Sequence, residues 1–567
     1  MQEIAAGKRR PEICSDNQVV YKPYDDMKSN RAKLWILILL FTASTSLPFL
    51  SKGFGFLALF SFVPLFYIDK ILSSKKIAGA YWYTLAAFLG FNIASTFWIW
   101  NVSIAGALAA IILNALEMSA IFALFRWSKK TFKGVLPYIF FIALWTAWEK
   151  VYCNIEISWP WLQLGNAFSY DTWMVQWYEY TGLLGGTVWI LFTSLLTFLC
   201  IESFRKPEET KYDVRQRWSM VVSCLLVIDI PLLFSTIISN KRVESDDPVE
   251  VTVVQPNIDP WGKGGSIIQD HFDNRLIALA DSVITPKTKF VITPETFTYN
   301  VNIDDIHTNP SVQRYDTFIQ AHPDASLLFG ALTYKDYIQP LRPSITAHKA
   351  DSFWYDVMNS AILLDSTGKY TFSYKSKLVP GAEIIPYQKY MGFIIPLMEK
   401  FGGSSDSYAR ATTPMLLTAN DDSKIAAMIC YESIYSEWVK DAVSKGASWI
   451  AVITNDGWWG DTPGYRQHFR YATLRAIETR RDVVQSANNG RSGIIDQLGR
   501  VKHSTKYWVE DSFVGTVNRN TVQTFYVRNG DLIGRAFTFL FLIMLAGWIV
   551  TAIVNRGQSR GKKSRKS

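Results

Sequence analysis

Three side chains of different chemistry stand at or near the ends of short strand-like runs in one polar stretch of the sequence. Glu295 closes "FVITPE", Lys375 lies in "TFSYKSKLVPGAE", and Cys430 closes the apolar run of "KIAAMICYESIYSEW". A carboxylate can take up a proton, an ammonium can hold negative charge, and a thiolate is a strong nucleophile. A thiol with a pKa of ~8.5 is mostly protonated at neutral pH, so it needs a neighbouring base or cation before it attacks. The same ammonium could then steady the oxyanion of a tetrahedral intermediate. Each residue also has a plainer reading. Cys430 can be buried filler, Glu295 a turn residue after Pro294, and Lys375 part of a solvated strand face. Taken together, they point to covalent catalysis by a cysteine.

Other chemistries find less support. The histidines, at 271, 307, 322, 348, 468 and 503, show no metal-ligand spacing, so no metal site and no cofactor is expected. Neither "WGKGG" at 261–265 nor "GWWG" resembles a phosphate-cradling loop, and there is no G-x-S-x-G elbow. The five cysteines (Cys14, Cys153, Cys200, Cys224 and Cys430) form no Cys-x-x-Cys pair and no disulfide framework.

The elements that must position the trio read as strands alternating with helices over 249–527. Strand-like runs include "VEVTVVQPNI", "KFVITPETF", "ASLLFGAL", "NSAILLDSTG", "KIAAMICYE", "SWIAVITND", "DVVQSANNG" and "SFVGTVN". Helical periodicity marks "DHFDNRLIALADSVI" and residues 466–481. Runs such as "IAAMI" and "WIAVI" are apolar on both faces, as in a sheet covered on each side. The fold class is therefore α/β with a layered sheet.

Around this segment the sequence is apolar. Stretches near 34–50, 53–69, 79–100, 104–125, 134–149, 184–201, 218–238 and 532–554 approach the ~20 residues that a membrane-spanning helix needs. About eight transmembrane helices are expected. Residues 1–33 form a basic leader, 34–238 seven spans, 239–531 the polar domain, 532–554 the eighth span and 555–567 a basic tail. Lys and Arg cluster in the leader, in every second connection and in the tail, and residues 151–183 contain neither. By the positive-inside rule both termini are cytoplasmic and 239–531 lies outside. The formal net charge of +9 sits in these flanks, which suits membrane lipids rather than nucleic acid.

The order Glu, Lys, Cys, with K-x-x-L-V-P, a Cys-Tyr-Glu strand end, N-D-x-W-x-G and a later N-N-G-x-S, resembles the carbon–nitrogen hydrolase (nitrilase) superfamily. With the flanking spans the resemblance narrows to the bacterial apolipoprotein N-acyltransferases. The stretches "SWPWLQLGN" at 158–166, "VVQPNI" and "LRAIETRR" are similar to further segments of that family. The resemblance implies a nitrilase-like αββα sandwich on the outer face of the bacterial cytoplasmic (inner) membrane. It implies Glu295 as general base, Lys375 as oxyanion stabiliser and Cys430 as nucleophile. Glu383, Tyr431 and Glu432 would support the site, while Trp458 and Trp261 would contact lipid or substrate. The implied reaction moves an acyl chain from a phospholipid, through a thioester on Cys430, to the amino terminus of a diacylglyceryl apolipoprotein, with the enzyme acting as a monomer. Where the family has V-P-F-G-E after its lysine, this chain has "VPGAE", with the spacing to Glu383 kept. Two other readings compete. One is a membrane-tethered amidase using the same triad on soluble substrates. The other is a transporter with an idle sensor domain, suggested by Glu117 and Asp229 in apolar stretches.

Overall fold

A computed structural model describes residues 24–75, 77, 79–205, 212–259, 266–391 and 407–564. Trp261 lies outside the described residues. The apolar stretches form the helices Tyr24–Leu50, Val63–Ser74, Ala80–Thr96, Ile104–Ser128, Leu136–Tyr152, Leu183–Arg205, Val214–Lys241 and Leu532–Ser564. Among the described residues, six stretches are long and apolar enough to cross a membrane: Ser29–Leu50, Gly55–Ser74, Ile104–Ser128, Leu183–Arg205, Val214–Lys241 and Leu532–Val554. Ala80–Thr96 and Leu136–Tyr152 are shorter, at 17 residues each. The Val214–Lys241 helix presents Leu225, Leu226, Ile230 and Leu233 outward, and Leu532–Ser564 presents Phe539, Leu542, Ile549 and Val550. Apolar faces of that extent call for a lipid neighbour. Asp229 is exposed on its helix, so burial between helices does not account for it.

The polar segment folds into two sheets. The first contains β1 (Pro248–Gln255), β2 (Thr288–Ile292), β3 (Thr298–Asn302), β4 (Ser326–Tyr337), β5 (His348–Lys349), β6 (Trp354–Asp365), β7 (Tyr370–Tyr374) and β14 (Asp511–Asn518). Its order is β14-β1-β2-β4-β6-β5, with β3 on β4 and β7 on β6. The second contains β8 (Leu417–Thr418), β9 (Lys424–Ile429), β10 (Trp449–Thr454), β11 (Val483–Ala487), β12 (Gly493–Ile495) and β13 (Val501–Ser504). Its order is β13-β12-β11-β10-β9-β8.

Side-chain alternation explains the layering. Val251, Val253, Phe290, Ile292 and Leu328 of the first sheet share one core with Ile425, Ala427, Ile429, Trp449, Ala451 and Ile453 of the second. The opposite face of the first sheet packs Val291, Leu327 and Phe329 against Leu276, Ala280, Tyr315 and Ile319 of the helices Ser266–Asp281 and Pro310–Gln320. The opposite face of the second packs Ala426, Met428, Ile450 and Val452 against Val439, Val443, Phe469 and Ala476 of Ser436–Ser444 and Pro463–Thr479. The domain is therefore a helix–sheet–sheet–helix sandwich, and both faces of "IAAMI" and "WIAVI" are buried for this reason.

Strand direction brings the candidate residues to one edge. β2 runs parallel to β4, while β4 and β6 and then β6 and β7 are antiparallel, so β2 and β7 point the same way. Glu295 follows β2 and Lys375 follows β7. In the second sheet β9 and β10 are parallel, and Cys430 and Asp456 follow their ends.

Candidate active site

Cys430 is the first residue past β9 and begins the short helical turn Cys430–Ile434. Its φ is +51°, in the left-handed region, which costs an L-residue ~1–2 kcal/mol. The turned residue packs both against the inter-sheet core and against the core shared with the helices. Glu432 fixes the turn: its carboxylate accepts from the backbone N–H of Ser376 at 2.8 Å and of Ile429 at 3.2 Å. One side chain thus ties the end of β9 to the segment that carries Lys375. Burial pushes the Glu432 carboxyl up to about 7, and these N–H donors moderate the shift.

Lys375 is 1% exposed. Its Nζ donates to Glu295 Oε1 at 3.0 Å and to Glu383 Oε1 at 2.8 Å. Asn359, on β6, donates through Nδ2 to the same two oxygens at 2.9 and 3.0 Å, and its carbonyl accepts from the Lys375 N–H at 2.9 Å. Asn359 was not singled out in the sequence. The available signal was an amide in an otherwise apolar strand-like run. The other Glu383 oxygen accepts from the Val379 N–H at 2.8 Å, and the Glu383 N–H returns to the Val379 carbonyl at 2.9 Å. Gly381, with φ +82°, supplies the left-handed step of this turn. In this way "VPGAE" delivers Glu383 to the ammonium without an aromatic residue.

Glu295 reaches the site because β4 has a glycine. A Cβ on Gly330 would stand 2.5 Å from the Pro294 carbonyl oxygen and 2.6 Å from Glu295 Cα. The Gly330 N–H donates to the Pro294 carbonyl, and the Phe297 N–H donates to the Gly330 carbonyl. The loop bearing Glu295 therefore lies directly on the strand.

Burial opposes the Lys375 charge, but Glu295 and Glu383, with Cys430 adding, hold its pKa well above the usual lysine value. Burial raises the Cys430 thiol well above its ordinary range, Glu295 adds to this, and Lys375 pulls the other way. Burial and Glu295 thus both favour the protonated form of the sulfur. An attack by this sulfur would require loss of its proton, and Glu295 is a carboxylate within electrostatic reach. The arrangement can run acyl transfer through a thioester: a proton acceptor, a fixed cation for the oxyanion, and a sulfur nucleophile.

The other expected residues lie around this centre. The Tyr431 hydroxyl donates to the Ser158 carbonyl at 2.8 Å, and Tyr435 Oη lies 2.7 Å from Ser158 Oγ. Tyr431 thus docks the domain onto the "SWPW" loop. Trp458, partly buried, lines a hollow with Asn101, Asp461, Tyr507 and Trp508. Trp161 is buried, stacks on Trp159 with ring centres 5.5 Å apart, and packs on Trp98 at 4.8 Å. Those rings are core between helix ends and domain. A further seam residue is Arg480: its guanidinium donates to Glu179 Oε2 and to the side-chain and backbone oxygens of Gln176, each at 2.8 Å.

Comparison with known proteins sets the class first. Residues 251–526 match the Carbon-nitrogen hydrolase family model, which is the class that the sandwich and its cysteine site define. Residues 42–196 match the Apolipoprotein N-acyltransferase N-terminal domain. An apolipoprotein N-acyltransferase of Chlorobaculum tepidum is 29% identical over 78% of this chain and 83% of its own length. One from Geobacter metallireducens is 25% identical over 91% and 94%, and one from Rickettsia prowazekii is 24% identical over 75% and 77%. The chain belongs to the apolipoprotein N-acyltransferase family.

Proposed function

We propose that the protein transfers an acyl chain from a phospholipid to the α-amino group of the diacylglyceryl-cysteine at an apolipoprotein N-terminus, with Cys430 as carrier. The observation that carries this reading is the buried Glu295–Lys375–Glu383 cluster beside a cysteine, at a seam with apolar helices. Cys430 gives its proton to Glu295 and its sulfur attacks the ester carbonyl. Lys375 holds the oxyanion while the C–O bond breaks, and the leaving lysophospholipid takes the proton from Glu295. A thioester remains. The acceptor amine then attacks the thioester carbonyl, Glu295 takes an amine proton, and collapse forms the amide and returns the proton to the Cys430 sulfur. Burial of Lys375 and Glu295 keeps water from the thioester, as a transferase requires.

In this reading all eight apolar stretches span the membrane. Residues 239–531 stand on the outer side of the bacterial cytoplasmic membrane, the flanks are cytoplasmic, and the protein acts as a monomer. Tyr431 and Arg480 hold the domain on the bundle, so that Cys430 meets acyl chains at the bilayer surface.

The test supplies purified protein with phospholipid carrying a labelled acyl chain and a diacylglyceryl-cysteine peptide. Label in amide linkage on the peptide is expected. Hydrolysis of short soluble amides without any transfer to the peptide would instead establish a membrane-tethered amidase.

A further inference from the structure

On the backbone side of Cys430 lies a buried histidine to which the mechanism above gives no part. His468 stands on the Pro463–Thr479 helix and is 0% exposed. Its Nδ1 is 3.0 Å from Asp456 Oδ1, an oxygen that also accepts from the Thr454 hydroxyl at 2.6 Å. Its Nε2 is 3.1 Å from the Cys430 carbonyl oxygen and 2.9 Å from Ser433 Oγ.

Counting hydrogens assigns the ring nitrogens. The Cys430 carbonyl can only accept. Ser433 spends its one hydroxyl hydrogen on that same carbonyl, at 2.8 Å. Toward His468 the serine oxygen is therefore an acceptor, and Nε2 must carry a hydrogen. Nδ1 faces a carboxylate and carries one too. Burial presses the imidazole toward neutrality, and Asp456 overcomes it, leaving the pKa above the ordinary histidine value. The carboxylate end of the network is tightly held: Asp456 is fully buried just past β10, and a Cβ on Gly490 would stand 2.7 Å from its side chain.

The group so gripped is the carbonyl of a residue held in the left-handed region, at φ +51°. Cys430 has no glycine-like freedom there, so an outside contact must hold the conformation against relaxation. We propose that His468, fixed by Asp456, is a positioning residue: its Nε2–H holds the Cys430 carbonyl and thereby aims the thiol at Glu295 and Lys375. This rests on the reading of Cys430 as the nucleophile. It adds that the left-handed turn is maintained from the far side of the sheet by a charged dyad.

The experiment uses the full-length protein in detergent micelles and two readouts. One is the rate at which iodoacetamide alkylates Cys430, mapped by peptide mass spectrometry. The other is kcat and KM for thioester formation from phospholipid. His468→Gln keeps a donor that reaches the carbonyl, His468→Asn is polar but too short, and His468→Leu removes the donor. For variants that elute and melt like folded protein, Leu and Asn are expected to lower alkylation and kcat by ~30–100-fold, as for a misplaced reacting atom. KM should stay within about 2-fold, because no contact to lipid is lost. Gln should recover most of the rate. If Leu does not fold, the Gln and Asn pair decides. Equal rates in Gln and Asn, or wild-type alkylation in a folded Leu variant, would overturn the proposal. Should wild type alkylate in this order yet form no thioester, the acyl-transfer reading would fall and the positioning role would stand.

Discussion

At the scale of single residues, the site turns on the charge balance around Lys375. One ammonium satisfies an oxygen on each of two carboxylates, Glu295 buried and Glu383 partly buried, and Asn359 donates to the same pair. Lys375→Met would leave Glu295 and Glu383 facing one another with only an amide between them. Breaking a buried ion pair on one side costs roughly 3–5 kcal/mol. The expected result is a clearly lower melting temperature and no measurable thioester. A Lys375→Met protein that melts and acylates like its parent would contradict the roles assigned to all three residues. Glu295, Lys375 and Cys430 stand out in the sequence because each is polar or reactive and lies at or near the end of a strand-like run, while Glu383 enters only through the family resemblance. Asn359 and His468 do not stand out, since the catalytic candidates they contact, Glu295 and Cys430, lie 64 and 38 residues away in sequence. No local pattern carries such a pairing. Tyr431, expected to support the site, gives its hydroxyl to the Ser158 carbonyl.

At the scale of elements, parallel strands feeding one edge explain how residues from two sheets converge. The alternation of apolar runs with helical periodicity made that architecture readable in advance. The short strands β5, β8, β12 and β13, of 2 to 4 residues, were not readable. Pieces that short persist through the hydrogen bonds of the strand beside them in the folded sheet. Gly330 is the element-level device least visible in sequence: "LLFGAL" reads as an ordinary strand, yet its glycine makes room for the Glu295 loop. Gly330→Ala forces a shift of that loop or of β4, an overpacking cost of ~1–3 kcal/mol. Displacing Glu295 is expected to slow thioester formation by ~10–100-fold while the domain stays folded. Unchanged kinetics in Gly330→Ala would show that the base needs no such close approach.

At the scale of the whole molecule, catalytic domain and helices form one packed unit. Tyr431, Ile434, Tyr435, Tyr471 and Leu474 belong to the same core as Phe88, Trp145 and Trp161. Lys150, at the end of its helix, bridges Glu437 and Asp531 at 3.0 and 2.9 Å. A domain seated in this way shares the orientation of its bundle, and the proposed topology, read from the basic connections, predicts that it lies outside. Ile338 is 94% exposed, so an Ile338→Cys variant should take up a membrane-impermeant maleimide from outside intact cells, above the parent's background. Labelling only after the cells are opened would reverse the topology. The most direct measurement for the account as a whole is the intact mass of full-length protein incubated with phospholipid and no acceptor. The expected result is the added mass of one acyl chain, released by neutral hydroxylamine, mapped to Cys430 and missing from Cys430→Ala. A folded wild type that gains no acyl mass, or a Cys430→Ala protein that gains as much, would contradict it.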